Sequence, residues 1–291
     1  MAMAVAAPLL WAAAAALLCE NALKLPPRMR PSADRRLAQW AAEESRSRWQ
    51  AVEIQARAGA RLRAWWFEPP AAMGSVLLMH GVADSRRGML ACGRMLLRHG
   101  YRVLAPDSRG HGDSGGEMLT HGLREVDDVR RWVAWVRARH GEEPVFGLGE
   151  SMGAAILLQA AGRGVPFQGI VAESPYAAFQ DVARYRVRQK AGLAGPALAD
   201  SALLYARVRY GLDFSQASPL AGIGGIHVPV LLIHSTEDTN IPQEQSLRLA
   251  AQNPGFVRVW APEGVAHTAA MAARPAEFER RVVDHFQLAA P

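Results

Sequence analysis

An α/β fold, built on a mostly parallel central sheet with helices on both faces, is what this sequence predicts, and three observations predict it. From Ser75 onward, short apolar runs alternate with longer stretches of helical period. Continuous apolar runs of strand length are buried on both faces, which requires a sheet covered twice. The chain between consecutive runs is too long for hairpins and long enough for helical crossovers, which are right-handed between parallel strands. Finally, 291 residues, 50% of them hydrophobic, are enough for one large core.

The first stretch stands apart. Met1 to Cys19 carries no charged side chain, and a helix of that length, at about 1.5 Å per residue, just reaches the ~30 Å hydrocarbon core of a bilayer. Residues 1–22 are therefore expected to be an uncleaved membrane anchor, against a cleaved signal that would make the protein secreted or periplasmic, or a helix packed on the protein. Nothing basic precedes Val5, Leu18 to Ala22 makes a poor cleavage site, and bulky Leu18 argues against lipoprotein processing at Cys19. Lys24, Arg28, Arg30, Arg35 and Arg36 follow the run, which under the positive-inside rule favours the cytoplasmic face for the rest of the chain. Pro26, Pro27 and Pro31 separate this segment from the charged amphipathic stretch Asp34 to Trp49, so residues 23–50 read as a linker or helix.

Residues 51–291 carry the folded unit. Ala51 to Arg57 and Ala60 to Phe67 alternate apolar and polar residues around Gly59, the pattern of an antiparallel hairpin, placed at one edge of the sheet. Strands follow at Ser75–His80, Tyr101–Pro106, Val145–Leu148, Gln168–Glu173, Val228–His234 and Phe256–Ala261. Helices are expected near Arg86–Arg98, Val126–Arg139, Ala154–Ala161, Gln243–Gln252 and Pro275–Phe286. The segment 176–225 is too long for a simple crossover, and Gly192, Gly195 and Pro196 divide probable helices in it. It reads as a small helical cap over the sheet.

Composition excludes several function classes. Only Cys19 and Cys92 occur, which rules out a disulfide framework or a cysteine-rich zinc site and leaves the redox compartment open. Its histidines are isolated from acidic partners at ligand spacing, so no metal is implied. The net charge is +6, but all but two of the 33 basic residues are arginines scattered among acids. With no helix or zinc module to support it, a nucleic-acid partner is not expected.

Gly149-Glu150-Ser151-Met152-Gly153 matches Gly-x-Ser-x-Gly, for which about 0.1 accidental matches are expected at this composition. Gly112 to Gly116, around Ser114, matches it too, so context must decide. A nucleophile elbow needs a strand, a strained turn flanked by small residues, and then a helix. Ser151 has all three, whereas Ser114 lies well beyond the strand ending at Pro106 and is followed by glycines. A serine hydroxyl needs a base, and the base an acid to hold its tautomer. In the order serine, acid, histidine, the late candidates are His267, in a loop after a strand, and His285, in a terminal helix. Loop position favours His267. Asp238 is the leading acid, four residues beyond the strand end at His234, with Glu237 and Glu263 as rivals. His80, Asp107 and His111 are read as residues that shape loops.

Taken in order, His80-Gly81, Asp107 to Ser114, Gly149 to Gly153, Glu237-Asp238 with Ile241-Pro242, and Gly264 with His267 resemble the α/β-hydrolase superfamily. The resemblance is strongest to its serine-aminopeptidase-like (S33-type) branch of esterases and acyl hydrolases, and it covers about Val52 to Leu288. It implies a triad of Ser151, Asp238 and His267, with the Val82 and Met152 backbone N–H groups as the oxyanion hole. The expected activity is hydrolysis of carboxylic, acyl-type esters through an acyl-enzyme, without a cofactor. Amide or peptide-bond hydrolysis, and a non-catalytic binding protein of the same fold, are the alternatives. Expected partners are a small-molecule or lipid-like ester and a membrane surface, the latter because Arg184, Arg186, Arg188, Lys190, Arg207 and Arg209 outnumber Asp181, Asp200 and Asp213 in the cap. A solvated helical face is the plainer account of those charges.

Overall fold

The apolar runs become strands of one sheet because each offers apolar side chains to both faces. In the computed structural model, which describes residues 2–24 and 34–290, the strands are β1 (Arg48–Gln55), β2 (Arg61–Glu68), β3 (Ser75–Met79), β4 (Arg102–Pro106), β5 (Val145–Glu150), β6 (Gly169–Glu173), β7 (Val230–Ile233) and β8 (Val257–Trp260). Their order across the sheet is β1-β2-β4-β3-β5-β6-β7-β8. The six strands from β4 to β8 run parallel. The expected hairpin forms the antiparallel edge: β1 pairs β2 with Val52 opposite Ala64, and β2 pairs β4 antiparallel.

Alternation along the strands divides the core in two. Leu77 and Met79 of β3 and Leu104 of β4 point to a cluster with Val129, Trp132, Ile156 and Leu249. Val76, Leu78, Val103 and Ala105 point the other way, to Ala41, Met95, Phe278 and Phe286. The first face is covered by α4 (Glu125–His140), α5 (Met152–Gly162) and α8 (Glu244–Gln252), the second by α2 (Arg35–Glu44), α3 (Leu90–Arg98) and α10 (Pro275–Ala289). Residues such as Trp132 and Phe286, about 1% and 0% exposed, carry much of the hydrophobic stabilisation, on the order of 2–3 kcal/mol each. Between β6 and β7 run α6 (Phe179–Ala191) and α7 (Gly195–Tyr210), and α9 (Ala270–Ala273) precedes α10.

Several expected element ends shift: β1 starts at Arg48, inside the segment read as linker, β7 shortens to Val230–Ile233, and α10 runs on to Ala289. The helix read from Arg86 begins only at Leu90, because the Asp107 carboxylate draws the Arg86 N–H (2.8 Å) and its guanidinium (3.2 Å) into a loop. Conversely, the helix read from Ala154 begins at Met152, directly after Ser151.

The N-terminal membrane anchor is not supported: among the described residues no helix is long and apolar enough to cross a membrane. The helix α1 (Ala2–Leu23) instead continues through charged Glu20 and packs on α7. Ala15, Cys19 and Leu23, spaced four apart on one face, are buried with Ala202, Ala206, Leu212 and Phe214. Polar contacts fix the same face: Trp11 Nε1 donates to Ser201 Oγ at 3.0 Å, Glu20 accepts from the Tyr205 and Tyr210 hydroxyls, and Leu119 N–H donates to Leu23 O at 2.9 Å. The linker prolines Pro26, Pro27 and Pro31, and the cations Arg28 and Arg30 used for orientation, lie outside the described residues. The arginine-rich face is also not a uniform charged surface, since Arg184 pairs with Asp200 at 2.7 Å and Asp181 with Arg248 at 2.7 Å.

Candidate active site

Ligand sites of open parallel sheets form beyond the carboxyl ends of the strands, and the residues singled out from the sequence gather there. Ser151 follows β5 at once and holds φ 51° and ψ −114°, a region that costs an L-residue about 1–3 kcal/mol. Its glycine neighbours make the turn possible. A Cβ on Gly153 would lie 2.2 Å from Met79 O, and one on Gly149 would lie 2.8 Å from Ala154 N, so any side chain at either position would collide with backbone. The Ser151 N–H is held by Glu173 O at 2.7 Å, which fixes the turn against β6.

His267 and Asp238 reach the same point from the loops after β8 and β7. His267 Nε2 lies 2.9 Å from Ser151 Oγ, and His267 Nδ1 lies 2.6 Å from Asp238 Oδ2. The pattern is consistent if Nδ1–H donates to the carboxylate, leaving Nε2 to accept the serine proton. Asp238 is buried and well held: its Oδ1 accepts the Asn240 and Ile241 N–H groups, both at 2.9 Å, and its Oδ2 lies 3.3 Å from His234 Nε2. Burial pushes its carboxyl up, but the hydrogen bonds from His234, His267 and the Ile241 N–H outweigh it and hold the group well below the ordinary range. An ionised acid against an imidazole is the arrangement that keeps the base in one tautomer.

The rivals fall elsewhere. Ser114 Oγ donates to Asp107 O and accepts the Arg63 N–H, each at 2.8 Å, as a loop fastener. His285 lies near Gly169, at the opposite, amino end of β6. Glu237 accepts the Gly264 N–H at 3.2 Å and so ties the two loops together, and Glu263 is exposed. His80 accepts the Ser108 N–H at 3.0 Å, and His111 accepts the Ala83 N–H at 3.2 Å. Burial lowers His80 to about 4, so it is neutral and structural, bracing the loop that carries Val82.

Val82 and Met152 border the same cavity as Ser151 and His267, and among the described residues no acceptor is found for either backbone N–H. The cavity holds about 610 Å³, within the range of small-ligand sites. Its walls are chiefly apolar and come from distant parts of the chain: Leu18, Cys19, Ala22 and Leu23 of α1, Phe179 and Val182 of α6, Ala202 and Ala206 of α7. Sequence reasoning missed three contributors. The α1 wall was hidden because its apolar run read as an anchor. His234 read only as the end of a strand, although a histidine four residues before the acid was a usable signal. His121, stacked on Phe179 at 3.9 Å, had no local signal at all.

A chain of serine, histidine and carboxylate at the mouths of β5, β8 and β7, with a nucleophile-elbow turn, defines the class: an α/β-hydrolase. Similarity to known proteins agrees. The family model described as serine aminopeptidase, S33, matches residues 70–207. The uncharacterized protein YqkD of Bacillus subtilis is 31% identical over 222 residues, which cover 75% of this chain and 72% of that one. The lysophosphatidylserine lipase ABHD12 of Gallus gallus is 32% identical over 129 residues, 41% of this chain and only 33% of that one. Among solved structures, the Pyrococcus furiosus esterase Pf2001 is similar with a TM-score of 0.72 and 26% identity, covering 90% of this chain and 98% of that one. The chain belongs to the α/β-hydrolase superfamily, in its serine-aminopeptidase-like S33 branch, and is a hydrolase of that type.

Proposed function

We propose that the protein hydrolyses carboxylic esters of acyl chains, with Ser151 as nucleophile, His267 as general base and acid, Asp238 as the group that orients His267, and the Val82 and Met152 N–H groups as the oxyanion hole. The observation that carries this reading is the Ser151–His267–Asp238 hydrogen-bond chain opening on an apolar cavity of about 610 Å³. Ser151 Oγ attacks the acyl carbon while His267 Nε2 takes its proton, and the oxyanion forms against the two N–H groups. Collapse breaks the acyl C–O bond, and the proton on His267 leaves with the alcohol. Water then gives a proton to His267 and its oxygen to the acyl carbon, which releases the acid and returns the proton to Ser151.

Helices α6 and α7, within residues 176–225, act in this reading as a cap whose inner side receives the acyl chain, and the hydrolase unit that carries it takes in α2 and the start of β1 at Arg48 as well as residues 51–291. The names of the similar proteins, a lipase acting on lysophosphatidylserine and an esterase, support an ester with a lipid-like or small acyl group. Labelling by a fluorophosphonate probe, with turnover of p-nitrophenyl esters from butyrate to palmitate, tests it. Both are expected in the wild type and absent in Ser151→Ala. Turnover of aminoacyl p-nitroanilides without ester turnover would replace the ester reading with an amidase, and a wild type inert to probe and substrates would overturn it.

A further inference from the structure

Helix α6 lays one continuous stripe along the cavity. Phe179, Val182, Ala183, Arg186, Val187 and Lys190 all line it, and steps of three and one residues keep them on one face. Over roughly 16 Å of helix the stripe passes from apolar to cationic. At the apolar end, Phe179 packs on Phe214 with ring centres 5.0 Å apart. At the other end, Arg186 Nη1 donates to Asn240 Oδ1 at 2.6 Å and to Gln189 Oε1 at 3.1 Å, and Asn240 also lines the cavity.

These cations differ from their neighbour on the same helix. Arg184 is compensated by Asp200. Among the described residues, neither Arg186 nor Lys190 lies in an ion pair with a carboxylate. The partners of Arg186 are neutral amides, which hold the guanidinium without cancelling its charge. Two acids do line the cavity, Asp84 and Glu150, but among the described residues neither is ion-paired with Arg186 or Lys190, and burial pushes Glu150 up to about 8. Glu150 is therefore largely uncharged near neutral pH and offers little counter-charge to the cations of α6.

We infer that Arg186 and Lys190 form a subsite for an anionic oxygen group, phosphate or carboxylate, so that the preferred ester is an amphiphile with an acyl chain at one end and a negative charge at the other. This rests on the reading that Ser151 attacks an acyl ester, and it adds what the non-reacting end of that ester carries. Arginine and lysine on adjacent turns suit such a group, since the guanidinium forks onto two oxygens while the ammonium adds a point charge.

The test has a binding arm that needs no turnover. Octyl phosphate, octanoate and octan-1-ol are titrated calorimetrically into the Ser151→Ala protein. Octyl phosphate, octanoate or both are expected to bind at least about tenfold tighter than the alcohol at low salt, and the preference should shrink as salt rises. Which of the two anions binds tighter assigns phosphate or carboxylate. The preference should fall at least about fivefold in Lys190→Gln, whose exposed side chain makes the variant safe for folding, and vanish in Arg186→Gln/Lys190→Gln. Arg186→Lys should keep most of it, which a merely structural Arg186–Asn240 bond would not predict. In the turnover arm, the same double variant should lower kcat/KM for a lysophosphatidic acid about tenfold more than for the monoacylglycerol of equal chain length. Equal affinity for all three octyl compounds, or a preference that survives the double substitution, would overturn the subsite while leaving the hydrolase reading intact. Absence of any ester turnover would overturn that reading, and the binding arm would still decide the subsite.

Discussion

At the scale of single residues, Ser151 is where backbone geometry and chemistry meet. Its φ of 51° and ψ of −114° lift the hydroxyl toward His267, and the turn survives because Gly149 and Gly153 leave room for the neighbouring backbone. This strain can be measured apart from activity. Ser151→Gly and Ser151→Ala both lose the hydroxyl, but only glycine enters this region freely. Ser151→Gly should be the more stable of the two, by on the order of 1 kcal/mol in denaturant unfolding, after the entropic cost of glycine is subtracted. Equal midpoints would mean that the turn is not strained. The residues of this turn were legible in the sequence because strand, glycines and helix are consecutive. Asp238 and His267 were legible as positions, since each follows a strand end. Their partnership was not, because 29 residues separate them and only folding sets the distance.

At the scale of elements, the N-terminal helix and the pair α6 and α7 decide what the cavity accepts. Cys19 and Leu23 of α1 face Ala202 and Ala206 of α7, and these small residues leave the space behind the site open. Filling it should shorten the acyl chain accepted. Ala202→Phe is expected to lower the ratio of kcat/KM for p-nitrophenyl decanoate over butyrate about tenfold, with the butyrate rate much less affected. An unchanged ratio would place the acyl chain elsewhere. The sequence misled here for a physical reason. An uncharged alanine- and leucine-rich helix satisfies a bilayer and an apolar protein surface alike, and hydropathy alone does not distinguish them. What distinguishes them is the presence of a complementary face about 180 residues away, with a serine for Trp11 and tyrosines for Glu20.

At the scale of the whole molecule, buried ionisable groups make stability depend on pH. Burial raises the Glu173 carboxyl to about 7, above the ~4.3 of a free glutamate. Between those values the folded protein holds a proton that the unfolded chain has lost, so this group's contribution is full below about pH 4 and is lost as pH rises to about 7. Asp238 has the opposite sign. Its depressed carboxyl stabilises the fold above about pH 4 and loses that effect as pH falls. His80, kept neutral by burial at about 4, also weakens the fold as pH drops below the ~6.5 of a free histidine. The variant Glu173→Gln isolates the first effect. Its stability relative to wild type should grow as pH is raised from about 4.5 to about 7.5, by on the order of 3 kcal/mol at most. Melting midpoints followed across that range would reveal it, and a constant gap would mean that Glu173 ionises normally.

The sequence by itself determined the doubly covered parallel sheet, the hairpin at its edge and the elbow around Ser151. Each is encoded in consecutive residues, through apolar period, turn glycines and the order of strand and helix. Only the tertiary structure decided that α1 lies against α7, that His234 steadies Asp238, and that Arg186 and Lys190 face the cavity. Those relations join residues distant in the chain, and no local pattern records which apolar face will meet which. Packing selects the partners, because Ala202 and Ala206 let Cys19 and Leu23 of α1 come close and be buried there.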